Sequence, residues 1–268
     1  MPPLLVLIGV LIGAGFRRYA RYRGAMIGGA LTNSVFGLLR ASILAATISS
    51  AGGSLIGYDT AQVVTYAWIT QAVIAPVELF TWVDLAVRVR TGDIAVDLAR
   101  PIDLQLMYGL ADLGRAVAVL LPRTLPPLVV GALTFGLALP ADPWSYLAGV
   151  LSLVLAVGIS FCCRFLMNLT AFWLLDIRGM STVYVTLSNV LSGLYAPVHW
   201  FPGWLAALAA ATPFPSMVQT PCDLLTGRAT GTAAAGLLAV QVGWLLVTLL
   251  AGRLVLARGT RTLVVQGG

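Results

Sequence analysis

Four ionisable side chains sit inside long apolar runs: Arg40, Glu78, Arg123 and Arg164. Their hydropathy context puts Glu78 and Arg164 in the inner third of a bilayer, Arg123 near its middle and Arg40 toward its outer side. An arginine at the centre of a membrane helix costs about 2.5–3.5 kcal/mol on insertion scales. Three together, roughly 8–10 kcal/mol, rival the whole stability of an ordinary domain. They must therefore face protein or water, not lipid. Two chemistries fit. One is ion pairing that holds helices in register, with Glu78 against Arg164 or Arg123. The other is an arginine-bearing path for an anionic or amphipathic solute. Tyr66, Gln71, Asn168, Tyr184, Asn189 and Tyr195 add polar groups, each most simply an interhelical hydrogen bond.

A second group of charges lies outside the apolar runs, in "TGDIAVDLARPIDL", residues 91–104. Thr91 or Asp93 can cap a helix N-terminus by accepting from its orphan N–H groups. Ile94 and Leu98 are four apart and share one face, while Asp93 and Asp97 share another. Arg100 precedes Pro101, which biases it away from helix and stops the turn. Pro101 suits the first turn of a new helix, whose positive end Asp103 complements. The segment reads as a short amphipathic helix, a kink and a second helix, and its stiffness suits a lever presented to a partner. A solvated loop is the plainer reading.

Other chemistries are excluded by what the chain lacks. The 16 basic residues are all arginine, so no Walker lysine or Schiff-base lysine exists. His199 is the single histidine, and no metal site is expected. Cys162, Cys163 and Cys222 read as small buried hydrophobes rather than a disulfide. An intramembrane enzyme would need a His-Glu-x-x-His, a Gly-x-Ser-x-Gly or paired carboxylates within spans, and none occurs.

The elements that must position these groups are membrane helices. Of 268 residues, 59% are hydrophobic and only 10% are charged, and the mean hydropathy is +0.93. That is an integral membrane protein of the all-α class. A span needs about 20 apolar residues, which predicts six: roughly 24–48, 62–87, 113–139, 144–174, 180–197 and 231–256. Residues 3–16 are short for a span and lack the basic leader of a signal peptide. With Arg17, Arg18, Arg21 and Arg23 behind them, they read as an interfacial helix within 1–23, a seventh span being the alternative. Residues 88–112 form a long connection on the arginine-rich side. On the other side, 198–230 is apolar but broken by Pro202, Pro213, Pro215 and Pro221, and reads as two short re-entrant helices.

Arginine counting orients the chain. With the N-terminus in the cytoplasm, that side holds Arg17, Arg18, Arg21, Arg23, Arg88, Arg90, Arg100, Arg115, Arg178, Arg253, Arg258 and Arg261, while the outer loops hold only Arg228. Both termini are then expected inside an inner, cytoplasmic cell membrane. The net charge of +6 is a topology signal, and no nucleic-acid partner is expected.

The pattern as a whole resembles the permeases of type-2 ATP-binding-cassette (ABC-2) exporters, in the six-helix drug and natural-product subfamily. The residues that carry the likeness are "YRGAMIGG" at the entry to the first span, "TGDIAVDLARPIDL" after the second, and "LSGLYAPVHWFPGWLAALAAATPFP" with "LLTGRATG" before the last. The head, 3–16, is oilier than the family's leader. The resemblance implies that Gly92, Asp93, Ile94, Asp97, Leu98, Arg100 and Pro101 form a coupling helix seated in an ATPase subunit. It implies a second permease, itself or a paralogue, and a small amphipathic substrate moved out of the cell. ATP and Mg would bind the partner ATPase, with no cofactor in this chain. Pro197, Phe201, Pro202, Trp204, Pro213 and Pro215 would shape the outer re-entrant helices. The competing reading is an ATP-independent secondary transporter, which would favour inverted repeats and broken spans with midplane acids.

Overall fold

A computed structural model describes residues 4–262 apart from residues 81 and 175. The two chain ends, and with them the expected placement of the termini, lie outside the described residues. Among those residues the fold is helical: α1 (Leu4–Ala20), α2 (Arg23–Ser50), α3 (Thr60–Val77), α4 (Asp84–Thr91), α5 (Ile94–Leu98), α6 (Leu104–Thr134), α7 (Pro143–Leu169), α8 (Arg178–Leu191), α9 (Gly203–Ala210), α10 (Gln219–Leu225) and α11 (Gly231–Gly259). The protein is an all-α polytopic membrane protein. Among the described residues four helical stretches are long and apolar enough to cross a membrane: Arg23–Ser50, Leu104–Thr134, Pro143–Phe172 and Gly231–Thr262. They fall on four of the six expected spans, although α6 starts nine residues before the expected 113 and takes in the last third of the 88–112 connection.

The other two expected spans are broken. The run 62–87 is helical only to Val77, and Glu78 then adopts a left-handed conformation, φ 57°. The run 180–197 is helical as α8 over 14 residues, about 21 Å. It stops at Leu191, and Gly193 follows at φ 87°. Hydropathy cannot register either stop, because the residues beyond each remain apolar.

α3 is the centre of the bundle. Every residue from Val63 to Val77 is buried, with α2, α6 and α7 packed around it. Trp68 is fully buried and fills the gap between α2 and α6. A Cβ at Gly37 would lie 2.3 Å from its ring, and one at Gly131 2.5 Å from it. Only hydrogen fits at either position.

α1 is fastened more tightly than an interfacial helix requires. A Cβ on Gly15 would meet the Ala111 carbonyl oxygen at 2.0 Å, and one on Gly114 the Ile12 oxygen at the same distance. The backbones of α1 and α6 therefore touch, the small-residue packing of membrane helices. Arg18 at the end of α1 reaches Asp84 at the start of α4, 2.8 Å away. This hydrogen bond raises the Arg18 pKa above its ordinary value.

The connection from α2 to α3 contains a two-stranded ribbon that the hydropathy reading does not foresee. Ser54–Leu55 (β1) pairs with Tyr58–Asp59 (β2), with Leu55 opposite Tyr58. The two turn residues, Ile56 and Gly57, both have positive φ, 47° and 71°, the conformation of a tight hairpin turn. Asp59 then opens α3 with a capping box: it accepts from Gln62 N at 2.8 Å, and Gln62 Oε1 accepts from Asp59 N at 3.1 Å.

Candidate functional site

The break after α3 lies inside the bundle, with Val77 and Leu79 fully buried, and the orphan carbonyls of a buried helix end need partners. Arg115 of α6 supplies them. Its Nη1 and Nη2 donate to the Ala75 and Pro76 carbonyls, both at 2.9 Å. The same guanidinium meets Glu78 at 3.1 Å and Asp112 at 2.7 Å. Asp112 also takes Arg164 of α7 at 2.9 Å. Two guanidiniums and two carboxylates thus form one neutral cluster joining α3, α6 and α7, with Arg115 2% and Arg164 0% exposed.

This corrects two readings. Glu78 pairs with Arg115, not with Arg164 or Arg123, and Arg115 is a buried joint rather than a cytoplasmic surface charge. Asp112, which the sequence reading does not single out, is the hub. Its signal was the i, i+3 pair with Arg115 in "ADLGRAV".

The chain resumes at α4, where Val83 precedes the first turn and cannot cap it. Asn168 of α7 does so from outside: its Oδ1 accepts from Ala86 N at 3.0 Å. Its Nδ2 donates to the Trp82 and Arg164 carbonyls at 2.7 and 2.8 Å. Both ends of the break are therefore clamped, one by Arg115 and the other by Asn168.

From this clamp hangs the charged element. α4 ends at Gly92 in the left-handed region, φ 82°, and α5 is a single helical stretch ended before Pro101. Pro101 itself precedes α6 rather than opening it, and Asp103 is the cap, accepting from Leu106 N at 2.8 Å. Asp93 accepts from the Thr91 hydroxyl at 2.8 Å and makes no side-chain cap.

The expected docking set divides. Ile94 is 0% exposed and packs with Leu85, Val89, Leu104 and Met107 in the chain's own core. Asp97 also faces inward, holding Arg88 at 2.6 Å and the Tyr108 hydroxyl at 3.0 Å. Its hydrogen bond raises the Arg88 pKa above the ordinary value. Neither residue is free to touch another protein. Gly92, Asp93, Val96, Leu98, Arg100 and Pro101 are exposed, with Val96 60% and Leu98 36%. A cleft of about 580 Å³ opens beside them, bordered by Arg18, Asp84, Arg88 and Arg100.

The two remaining intramembrane arginines lie elsewhere, on α2 and α6. Arg40 donates to the Thr70 hydroxyl at 2.9 Å and to the Leu194 carbonyl. Arg123 lies across Gly29, where a Cβ would fall 2.5 Å from its Nε. Among the described residues no carboxylate pairs with either.

The 198–230 segment holds α9 and α10, the two short helices expected there. Pro202 precedes α9, while Pro213 and Pro215 fall at the one-turn helix Phe214–Met217. Pro197 is buried, Phe201 is half-buried and Trp204 is 71% exposed. Residues Gln219–Leu224 of α10 are buried, whereas α9 buries only Ala209. Gln219 accepts from Tyr66 at 2.9 Å and from Val198 N at 2.8 Å. It donates to Asp223 at 2.8 Å, and Asp223 meets His199 at 3.0 Å. His199 thus has the partner its isolation in the sequence concealed. Arg228 donates to the Gly57 carbonyl at 2.8 Å and stacks over Tyr58 at 4.0 Å, tying the hairpin to this end.

A short charged helical element between the second and third expected spans and a proline-broken segment before the last span are the features on which the resemblance rested. A family profile described as "ABC-2 family transporter protein" matches residues 36–267. The chain belongs to the ABC-2 transporter family. It is thus a membrane permease of an ABC-type transporter, a class that associates with an ABC ATPase subunit. No curated protein sequence matches it. The family match begins within α2, so α1 and its backbone contact with α6 stand outside it.

Proposed function

We propose that this ABC-2 protein is the permease subunit of an exporter that moves small amphipathic compounds out of the cell, driven by a separate ATPase that binds ATP and Mg. It works as a dimer with itself or a paralogue, in the cytoplasmic membrane, with both termini and the α4–α5 element inside. The observation that carries the reading is mechanical. An exposed face bearing Val96, Leu98, Arg100 and Pro101 is fixed by Asp97 and Ile94 to a helix pair whose start is clamped to α7 and lies directly below the break in α3. A push on that face reaches α3, α6 and α7 without crossing a flexible linker. The grouping of Arg18 with Asp84 at one end and Arg228 with the hairpin at the other supports the arginine-based orientation.

The test replaces the exposed apolar pair. Val96→Asp with Leu98→Asp leaves insertion and folding intact, since surface changes usually stay within about 0.5 kcal/mol. It abolishes co-purification of the co-expressed ATPase, or ATP-dependent export. Ile94→Asp instead puts a charge in the core and unfolds the element. A Val96→Asp, Leu98→Asp protein that still binds its ATPase and exports normally ends the proposal.

A further inference from the structure

The buried polar atoms that find no partner are not scattered evenly. Among the described residues three lie on one seam between α2, α3 and α6: Arg40 Nε, Trp68 Nε1 and Arg123 Nε. All three are donors. A buried group left unpaired is unfavourable, and three donors with no acceptor leave the seam deficient in one kind of partner only. Charge repeats the pattern. Glu78 and Asp112 are taken by Arg115 and Arg164 and Asp223 by Gln219 and His199, so among the described residues no carboxylate pairs with Arg40 or Arg123.

Their placement is regular. Arg123 lies against Gly29 of α2. Gly29 and Arg40 are 11 residues apart on the same helix, which is about 16 Å along the axis and nearly the same azimuth. Trp68 sits between the two levels, against Gly37. The seam is also open. Gly29, Arg40 and Arg123 are each half-buried, and on the adjoining side of α2 Phe36, Leu39 and Ile43 are each more than half exposed.

We infer that this seam binds the anionic head of an amphipathic compound, with Arg123 and Arg40 as two successive stations and the exposed apolar flank of α2 beside its tail. Guanidiniums recognise carboxylate and phosphate through their N–H donors, and two of the three unpaired donors here are guanidinium Nε groups. The substrate class of the exporter proposed above is then anionic, an inference that rests on that reading. The head belongs either to a free amphipath or to an inner-leaflet phospholipid.

The experiment uses the full chain in phosphatidylcholine nanodiscs, without ATPase. A diazirine-bearing dodecanoate and its methyl ester are photo-crosslinked at equal bilayer mole fraction, and labelled peptides are counted by mass spectrometry. The carboxylate labels α2 and α6 about tenfold more than the ester, the factor expected of one charge-assisted contact. Arg123→Gln and Arg40→Gln each reduce labelling toward the ester's level, Arg123→Lys and Arg40→Lys retain most of it, and Arg258→Gln leaves it unchanged. Adding phosphatidylglycerol sorts the two sources: strong competition identifies a lipid headgroup, weak competition a free amphipath, and either supports the anionic class. Equal labelling by acid and ester, or acid labelling unaffected by both Gln variants, overturns it. So does absence of labelling in a protein whose Gln variants lower the yield of cross-linked dimer, because a second copy then supplies the acceptor. Failure here leaves the ATPase co-purification result standing, and failure there leaves the labelling result standing.

Discussion

Two pairs of arginines lie within the bundle and behave oppositely. Arg115 and Arg164 are almost wholly inaccessible, yet each is matched by a carboxylate, and Arg115 in addition closes the carbonyl end of α3. Arg40 and Arg123 are half-buried and meet no carboxylate among the described residues. Depth of burial is therefore a poor guide to function in this protein. The deeper pair is structural because its charge sums to zero, and the shallower pair is available because its charge does not. Removing one member of a buried, satisfied pair strands the other, whereas removing a cation that has no partner strands nothing.

That contrast orders a series of substitutions, each measured by unfolding of the purified protein. Asp112→Asn has the largest effect, because it leaves both Arg115 and Arg164 short of a counter-charge. A loss of about 3–5 kcal/mol is expected, and adding Arg164→Gln restores part of it. An Asp112→Asn protein as stable as the parent would mean that the cluster is not a joint. Arg40→Gln is intermediate, costing about 1–2 kcal/mol for two hydrogen bonds, to Thr70 and the Leu194 carbonyl. Arg123→Gln is smallest, within about 0.5 kcal/mol of the parent, since no bond is lost. If Arg123→Gln destabilises as strongly as Asp112→Asn, Arg123 has a structural partner and the comparison collapses.

The joint also bears on how force moves through the molecule. The coupling element and the charge cluster are contiguous: Asn168 bonds both the Arg164 carbonyl and the α4 backbone. Pro76 and the left-handed Glu78 end α3 just above. A continuous helix over 62–87 would have transmitted motion along its own axis. The broken one passes it sideways, into α6 and α7.

Much of this was legible in the residues themselves. A long apolar run without internal proline makes a span even where a single arginine falls inside it, so α2, α7 and α11 begin and end close to their expected limits. Asp103 caps α6 and Pro101 stops α5 because those are local rules of backbone geometry. The capping box of Asp59 and Gln62 is equally local, and the pattern D-x-x-Q announces it. Tertiary structure alone decided where charges meet. Asp112 and Arg164 are 52 residues apart, as are the ends of no local rule, and only the docking of α7 on α6 makes them partners. It decided that Ile94 faces the core while Val96 faces out, although both belong to one short apolar turn. It also ended α3 at Val77, because a helix can stop inside the bundle only where another chain segment, here the Arg115 guanidinium, is ready to take its carbonyls.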